Sequence, residues 1–151
     1  MKILVDGDGC PVKSIIEKHA KEKNIHVLIF IDTSHLLNCT YSQVIQVSKG
    51  ADCVDFTLIS HASKGDLIIT GDYGVATMGL AKGCKVLNFN GKCYTNENMD
   101  QLLFERHLSR KMRKAGIRTG NIKKRTKADD MRFLEALKDI LSDDSEDITY
   151  P

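Results

Sequence analysis

Four short, almost wholly apolar runs, KILVD at residues 2–6, IHVLIFI at 25–31, DLIIT at 66–70 and KVLNF at 85–89, alternate with stretches of helical periodicity. Runs this short and this apolar are what strands buried on both faces require, and their alternation with helices predicts a parallel sheet. Lys2–Asp6 and Ile25–Ile31 flank a segment in which Val12, Ile15, Ile16, His19 and Ala20 recur at helical spacing after Pro11. Proline suits a first helical turn, where its missing N–H costs nothing. The result is a β-α-β unit with an expected right-handed crossover.

Further along, a helix is expected from about Asp52 to Ser63, burying Val54, Leu58, Ile59 and Ala62. Another follows Gly71-Asp72-Tyr73-Gly74, with Val75, Met78, Leu80 and Ala81 inward and Gly83 at its end. Asp32–Gly50 is harder to read: Leu36–Thr40 suits a loop, and Tyr41–Val47 either a short strand or an irregular edge. After Tyr94 the alternation stops. Thr95 suits the N-cap of a long helix to about Ala115, with Met99, Leu102, Leu103 and Leu108 inward. Thr126 and Asp129 form a capping-box pattern for a last helix to about Leu141, striped by Phe133, Leu134, Leu137 and Ile140. These elements predict a three-layer α/β/α fold with a mainly parallel, Rossmann-like central sheet. One domain over residues 1–142 is expected, with 143–151 an acidic, disordered tail.

Composition is that of a globular protein: 151 residues, 42% hydrophobic and 28% charged. No apolar stretch is long enough to span a membrane, and the acid-bearing start MKILVDGDGC does not suit a signal peptide, so a cytoplasmic location and no membrane partner are expected. The five cysteines are odd in number and contain no CxxC, which argues against a zinc ribbon or redox pair. Cys10 stands apart, beside Asp8 at an expected helix start that would favour a thiolate. The histidines show no metal-ligand spacing, and the isolated polar pair Ser34-His35 gives little support for a hydrolase triad.

Two strands end in acids followed by glycine, ILVD6-G-D8-G and IIT70-G-D72-Y-G74. Ligands of open parallel sheets bind beyond the carboxyl ends of the strands, and carboxylates converging there repel unless a cation neutralises them. Hard oxygen donors of this kind suit Mg²⁺ or Mn²⁺, ions that orient phosphate and lower the pKa of bound water. A third acidic element, G50-A-D52-C-V-D55, reads equally well as a helix N-cap at Asp52 with Asp55 in the first turn.

The runs VDGDGCPV, GADCVDFTLISHASKGDLIITGDYGVATMGLAKG and GKCYTNENM resemble the YaiI/YqxD family of uncharacterised bacterial proteins across nearly the whole chain. That family is itself similar to PIN-like domains, which are metal-dependent ribonuclease folds. The resemblance implies that Asp6, Asp55 and Asp72 are catalytic, with Asp8 and Asp52 as further metal ligands. Relatives typically carry alanine where this chain has Gly7 and Gly9, a change expected to loosen the loop. They also show a Gly-Gly-Pro element where this chain reads Thr119-Gly120-Asn121-Ile122.

Between Arg106 and Lys127 there are ten Lys/Arg residues and no Asp or Glu, although the net charge of the whole chain is only +2. Such asymmetry points to a polyanion, and Arg106, Arg110, Arg113, Lys114, Arg118, Lys123, Lys124 and Arg125 are the candidate phosphate contacts. Tyr73 and Tyr94 are candidates for stacking on bases. The combined expectation is a Mg²⁺- or Mn²⁺-dependent nuclease acting on RNA. Its alternatives are a nucleic-acid-binding module without catalysis and, more weakly, a haloacid-dehalogenase-like phosphatase. In the phosphatase, Asp6 would be nucleophile and Asp8 acid/base, but the chain lacks the later double-acid motif of that family.

Overall fold

The computed structural model describes residues 1–32, 39–48, 50, 53–117 and 124–147, with the backbone alone for 143–147. In chain order the elements are β1 (Ile3–Asp6), α1 (Lys13–Glu22), β2 (Val27–Asp32), β3 (Gln43–Val47), α2 (Cys53–His61), β4 (Leu67–Ile69), α3 (Tyr73–Ala81), β5 (Lys85–Leu87), β6 (Cys93–Tyr94), α4 (Asn96–Lys114) and α5 (Lys127–Asp147). The six strands lie in the order β3-β2-β1-β4-β5-β6. All neighbouring pairs are parallel except β5 with β6.

Strand alternation divides the interior into two cores. Ile3, Val5, Ile29, Ile31, Leu67 and Ile69 face α1 and α5, where Ile16, Phe133 and Leu137 are buried against them. Leu4, Phe30, Ile68 and Val86 face the other way, toward Leu58 of α2, Val75 and Ala76 of α3, and Met99 of α4. This is the expected three-layer α/β/α arrangement. Each fully buried Leu, Ile or Phe contributes on the order of 2 kcal/mol by leaving water, so the two filled cores dominate the fold's stability.

Several local expectations are refined. Gln43–Val47 resolves as a strand, paired in parallel with β2 from Leu28↔Gln43 to Asp32↔Val47. Cys93–Tyr94 is an antiparallel strand not anticipated from the sequence, too short to show a period of two. On α3 the buried residues are Val75, Ala76 and Gly79, while Met78 and Leu80 are half-buried, because the helix starts at Tyr73 and its phase follows from there. The cap of α4 is as expected: Asn98 N donates to Thr95 Oγ1 at 3.2 Å and Thr95 N donates to Asn98 Oδ1 at 3.0 Å. Its inner face differs, however. Met99 is buried and Leu102 half-buried, but Leu103 and Leu108 are 41% and 47% exposed. At helical spacing Leu102 continues into Arg106, Ser109 and Arg113, so arginines take the body-facing stripe that leucines were expected to fill. The last helix begins as its capping box predicts, and its backbone continues to Asp147 rather than ending near Leu141.

Gly7 is packed rather than loose. Its N–H donates to Phe30 O at 2.8 Å, and a Cβ there would stand 2.7 Å from the Cγ2 atoms of Ile29 and Ile31. The loop after β1 is thus pinned against β2. At the opposite end of the sheet, Lys2 Nζ donates to Asp66 Oδ2 at 2.6 Å and Lys2 N to Asp66 Oδ1 at 3.1 Å. Burial alone would raise the carboxyl pKa of Asp66, but Lys2 and the Ser63 N–H together hold it below the usual range.

Candidate functional site

Because β1 and β4 run parallel and adjacent, Asp6 at the end of β1 faces the residues that leave β4. Thr70, the first of these, is fully buried. Its hydroxyl donates to Asp6 Oδ2 at 3.0 Å and accepts from Asp72 N at 3.0 Å. One hydroxyl thus orients the first carboxylate and the turn that carries the third. Asp72 is then the N-cap of α3, with its Oδ1 accepting from Gly74 N at 2.7 Å and Val75 N at 3.1 Å.

Asp55, in the first turn of α2, is half-buried and borders the same cleft as Asp72 and Arg106. The electrostatics of Asp6 reflect this gathering. Burial is the largest influence and raises its pKa. The Thr70 hydroxyl opposes that effect, while Asp55, Asp72 and Asp8 raise the value further, to about 6. Four acids from β1, the β1–α1 loop, α2 and the start of α3 therefore share one electrostatic site. Asp8 exerts the smallest of these influences, and its Oδ2 accepts the N–H of Asp32 at 3.2 Å. Among the described residues, no three His, Cys, Asp or Glu side chains stand close enough to enclose a metal ion in this arrangement. Asp52 lies outside the described residues.

Asp32 is the acid that sequence reading missed. It ends β2, beside β1 in the sheet, and its backbone holds Asp8. Reading that strand only as far as Ile31 hid an acid that ends its own strand as Asp6 ends β1. Cys10 behaves differently from expectation: helix α1 starts only at Lys13, and Cys10 is buried beside the core. Burial raises its thiol pKa, so the thiolate is disfavoured.

The basic residues divide into three groups. Arg106 lies over the Tyr73 ring, 5.2 Å from its centroid, and Tyr73 meets Tyr94 edge-on at 5.8 Å. With Arg113 and Ser109, Arg106 lines a cleft of about 490 Å³ that reaches Gly71 and Asp72. Arg110 and Lys114 are exposed on α4 and Lys124 lines an outer hollow, whereas Arg118 and Lys123 lie outside the described residues. Arg125 is committed within the protein: Nε donates to Asp130 at 2.7 Å, Nη1 to Asn90 Oδ1 at 2.8 Å and Nη2 to Phe89 O at 2.7 Å. It joins the turn after β5 to the start of α5. Among the described residues, no helix is long and apolar enough to cross a membrane.

Comparison with known proteins agrees with the motifs at this edge. Residues 4–143 match the family described as "Uncharacterized BCR, YaiI/YqxD family". The chain is 56% identical over 146 residues to a UPF0178 protein of Ruminiclostridium cellulolyticum, covering 97% of this chain and 95% of that protein. It is 50% identical to a UPF0178 protein of Lachnoclostridium phytofermentans, over 93% of this chain and 97% of the relative. The corresponding figure for one from Clostridium kluyveri is 48%, over 91% and 90%. No solved structure matches the chain. With motifs and full-length similarity in agreement, the chain belongs to the YaiI/YqxD family.

Proposed function

We propose that the protein is a divalent-metal-dependent nuclease that hydrolyses RNA phosphodiester bonds in the cytoplasm, using a PIN-like arrangement of acids. The observation that carries this reading is the placement of Asp6, tied through the buried Thr70 hydroxyl to the turn that carries Asp72, with a cleft bordered by Asp55, Asp72 and Arg106 alongside. Burial chiefly, with Asp55, Asp72 and Asp8 adding to it, raises the Asp6 pKa to about 6. An all-carboxylate donor set fits Mg²⁺ or Mn²⁺, and a cation would relieve the mutual repulsion of these acids. Asp6, Asp55 and Asp72 would hold the ion, with Asp8 and Asp52 as additional donors. When bound, such an ion polarises phosphate and supplies a hydrolytic water at neutral pH.

The chain's own residues prepare this site. Thr70 orients the Asp6 carboxylate, and the α3 cap fixes one oxygen of Asp72. Arg106 and Arg113 offer cationic contacts to the phosphates flanking the scissile bond. The phosphatase alternative would use Asp8 as acid/base, but the chain lacks the later double-acid motif that such phosphatases use.

The test is cleavage of single-stranded RNA with Mn²⁺ or Mg²⁺, expected for the wild type and lost in Asp6→Asn and Asp55→Asn. RNA that is bound with a steep salt dependence yet stays intact with either ion would replace this reading with the non-catalytic binding module. Labelling of Asp6 by a phosphate monoester would instead establish the phosphatase.

A further inference from the structure

Beyond the acids, the carboxyl edge continues into a second cavity of about 320 Å³, bordered by Gly71 and Tyr73, which it shares with the cleft beneath α4. Its lining includes the aromatic residues Tyr73, Phe89 and the largely buried Tyr94, together with the polar Asn88, Asn90 and Arg125. The polar groups are strongly constrained. Asn88 Oδ1 accepts from Asn90 N and Lys92 N, both at 2.9 Å, so it builds the turn. Asn90 Oδ1 accepts from Arg125 Nη1, which fixes the orientation of the amide. A carboxamide has two N–H donors, and a guanidinium has five, of which Arg125 uses three within the protein. Arg125 can therefore only donate to whatever enters the cavity, and Asn90, with its carbonyl already bonded to Arg125, offers two N–H donors beside it.

Donors could serve a phosphate or the acceptor edge of a base. Two features favour the base. Arg125 is already paired with Asp130 at 2.7 Å, so its net attraction for a dianion is weakened. The aromatic residues Tyr73 and Phe89 in the lining, in turn, suit a planar ring rather than a tetrahedral ion. Resting on the RNA reading above, we infer that this cavity is a base-selecting subsite. It takes an oxo-bearing base, uracil or guanine, whose carbonyl accepts from Asn90 and Arg125, and it disfavours cytosine, which presents an amino donor at the corresponding position. The subsite adjoins the acids through Gly71, so it would set which nucleotide lies next to the reacting phosphate.

The experiment measures binding of labelled pentanucleotides U5, C5 and A5 to the full chain, with a chelator present so that no cleavage intervenes. The expected result is U5 binding about tenfold more tightly than C5, the scale of one good pair of base-edge hydrogen bonds. Asn90→Asp keeps the shape and the Arg125 contact but replaces the donor with an acceptor, and it should erase that preference. In the wild type, UMP but not CMP should shift the Asn90 side-chain amide resonance, a readout that does not depend on the variant folding. Equal affinity for the three oligomers, or a preference that survives in folded Asn90→Asp, overturns the inference. So does inorganic phosphate displacing U5 as well as UMP does. Failure of every oligomer to bind would overturn the subsite and the RNA reading together. A U5 preference without metal-dependent cleavage would uphold the subsite and remove only the nuclease.

Discussion

Thr70 Oγ1 stands 3.0 Å from Asp6 Oδ2 and 3.0 Å from Asp72 N, so one buried hydroxyl ties the end of β1 to the turn that opens α3. Thr70→Val preserves shape while leaving the Asp72 N–H and Asp6 without this partner. The expected loss is roughly 1–3 kcal/mol of stability, read from denaturant unfolding. The Asp6 pKa, which Thr70 lowers, should rise above its present value of about 6, observable by carboxyl-carbon NMR titration.

Asp6 also makes stability pH-dependent. Its folded pKa of about 6 lies above the ordinary 3.8, so between those values the folded protein holds the extra proton and stability falls as pH rises. Above pH 6 the full cost is present, up to roughly 2–3 kcal/mol, because a tenfold difference in proton affinity between the folded and unfolded chain is worth about 1.4 kcal/mol. Asp6→Asn should therefore be more stable than wild type at pH 7.5 and lose that advantage at pH 4, as measured by chemical denaturation at both pH values. On the metal reading, Mn²⁺ at pH 7.5 should raise the wild-type Tm and leave Asp6→Asn unmoved.

At Asp72 the structural and proposed catalytic roles can be separated. Its Oδ1 caps α3 through Gly74 N and Val75 N. Asp72→Asn keeps an oxygen acceptor and should leave stability nearly unchanged, whereas Asp72→Ala should cost about 1 kcal/mol. Both variants should lack metal-dependent cleavage. Equal thermal midpoints for the two would show that the cap contributes nothing.

Arg125 holds the turn after β5 to α5 with three hydrogen bonds from one guanidinium. Lysine cannot reproduce that fork, so Arg125→Lys should lose about 1–2 kcal/mol and speed amide exchange in residues 88–92. Exchange rates matching the wild type would mean that the turn stands without this contact.

Gly91 has φ +88, and a Cβ there would lie 2.5 Å from Arg132 O on α5. Gly91→Ala should cost about 1–3 kcal/mol from backbone strain alone, with displacement of α5 adding to it. A Tm within a degree of wild type would contradict this packing.

The layered fold was legible because apolar strand runs and helical spacing are local signals, and Asp6 and Asp72 could be found because one ends β1 and the other lies in the turn that follows β4. Asp55 was different: a first-turn aspartate of α2 carries no mark of which neighbour it approaches, and the resemblance rather than the spacing singled it out. The inner face of α4 was misread for a physical reason. Leucine at 103 and 108 looks core-directed by hydropathy, yet Arg106 takes the body-facing position by stacking on Tyr73, an interaction that no hydropathy pattern encodes. Arg125 was similarly read as one of a run of free cations, because its partners Asn90 and Phe89 are distant in sequence.

The Lys2–Asp66 clasp lies where β1 and β4 begin, whereas Asp6, Asp72 and the cavities lie where those strands end. Met1 therefore lies at the end of the sheet opposite Asp6 and Asp72. A fluorophore, affinity handle or surface tether joined there would leave the reactive edge open to solution, which makes the amino end the natural attachment point for single-molecule or immobilised assays of this protein.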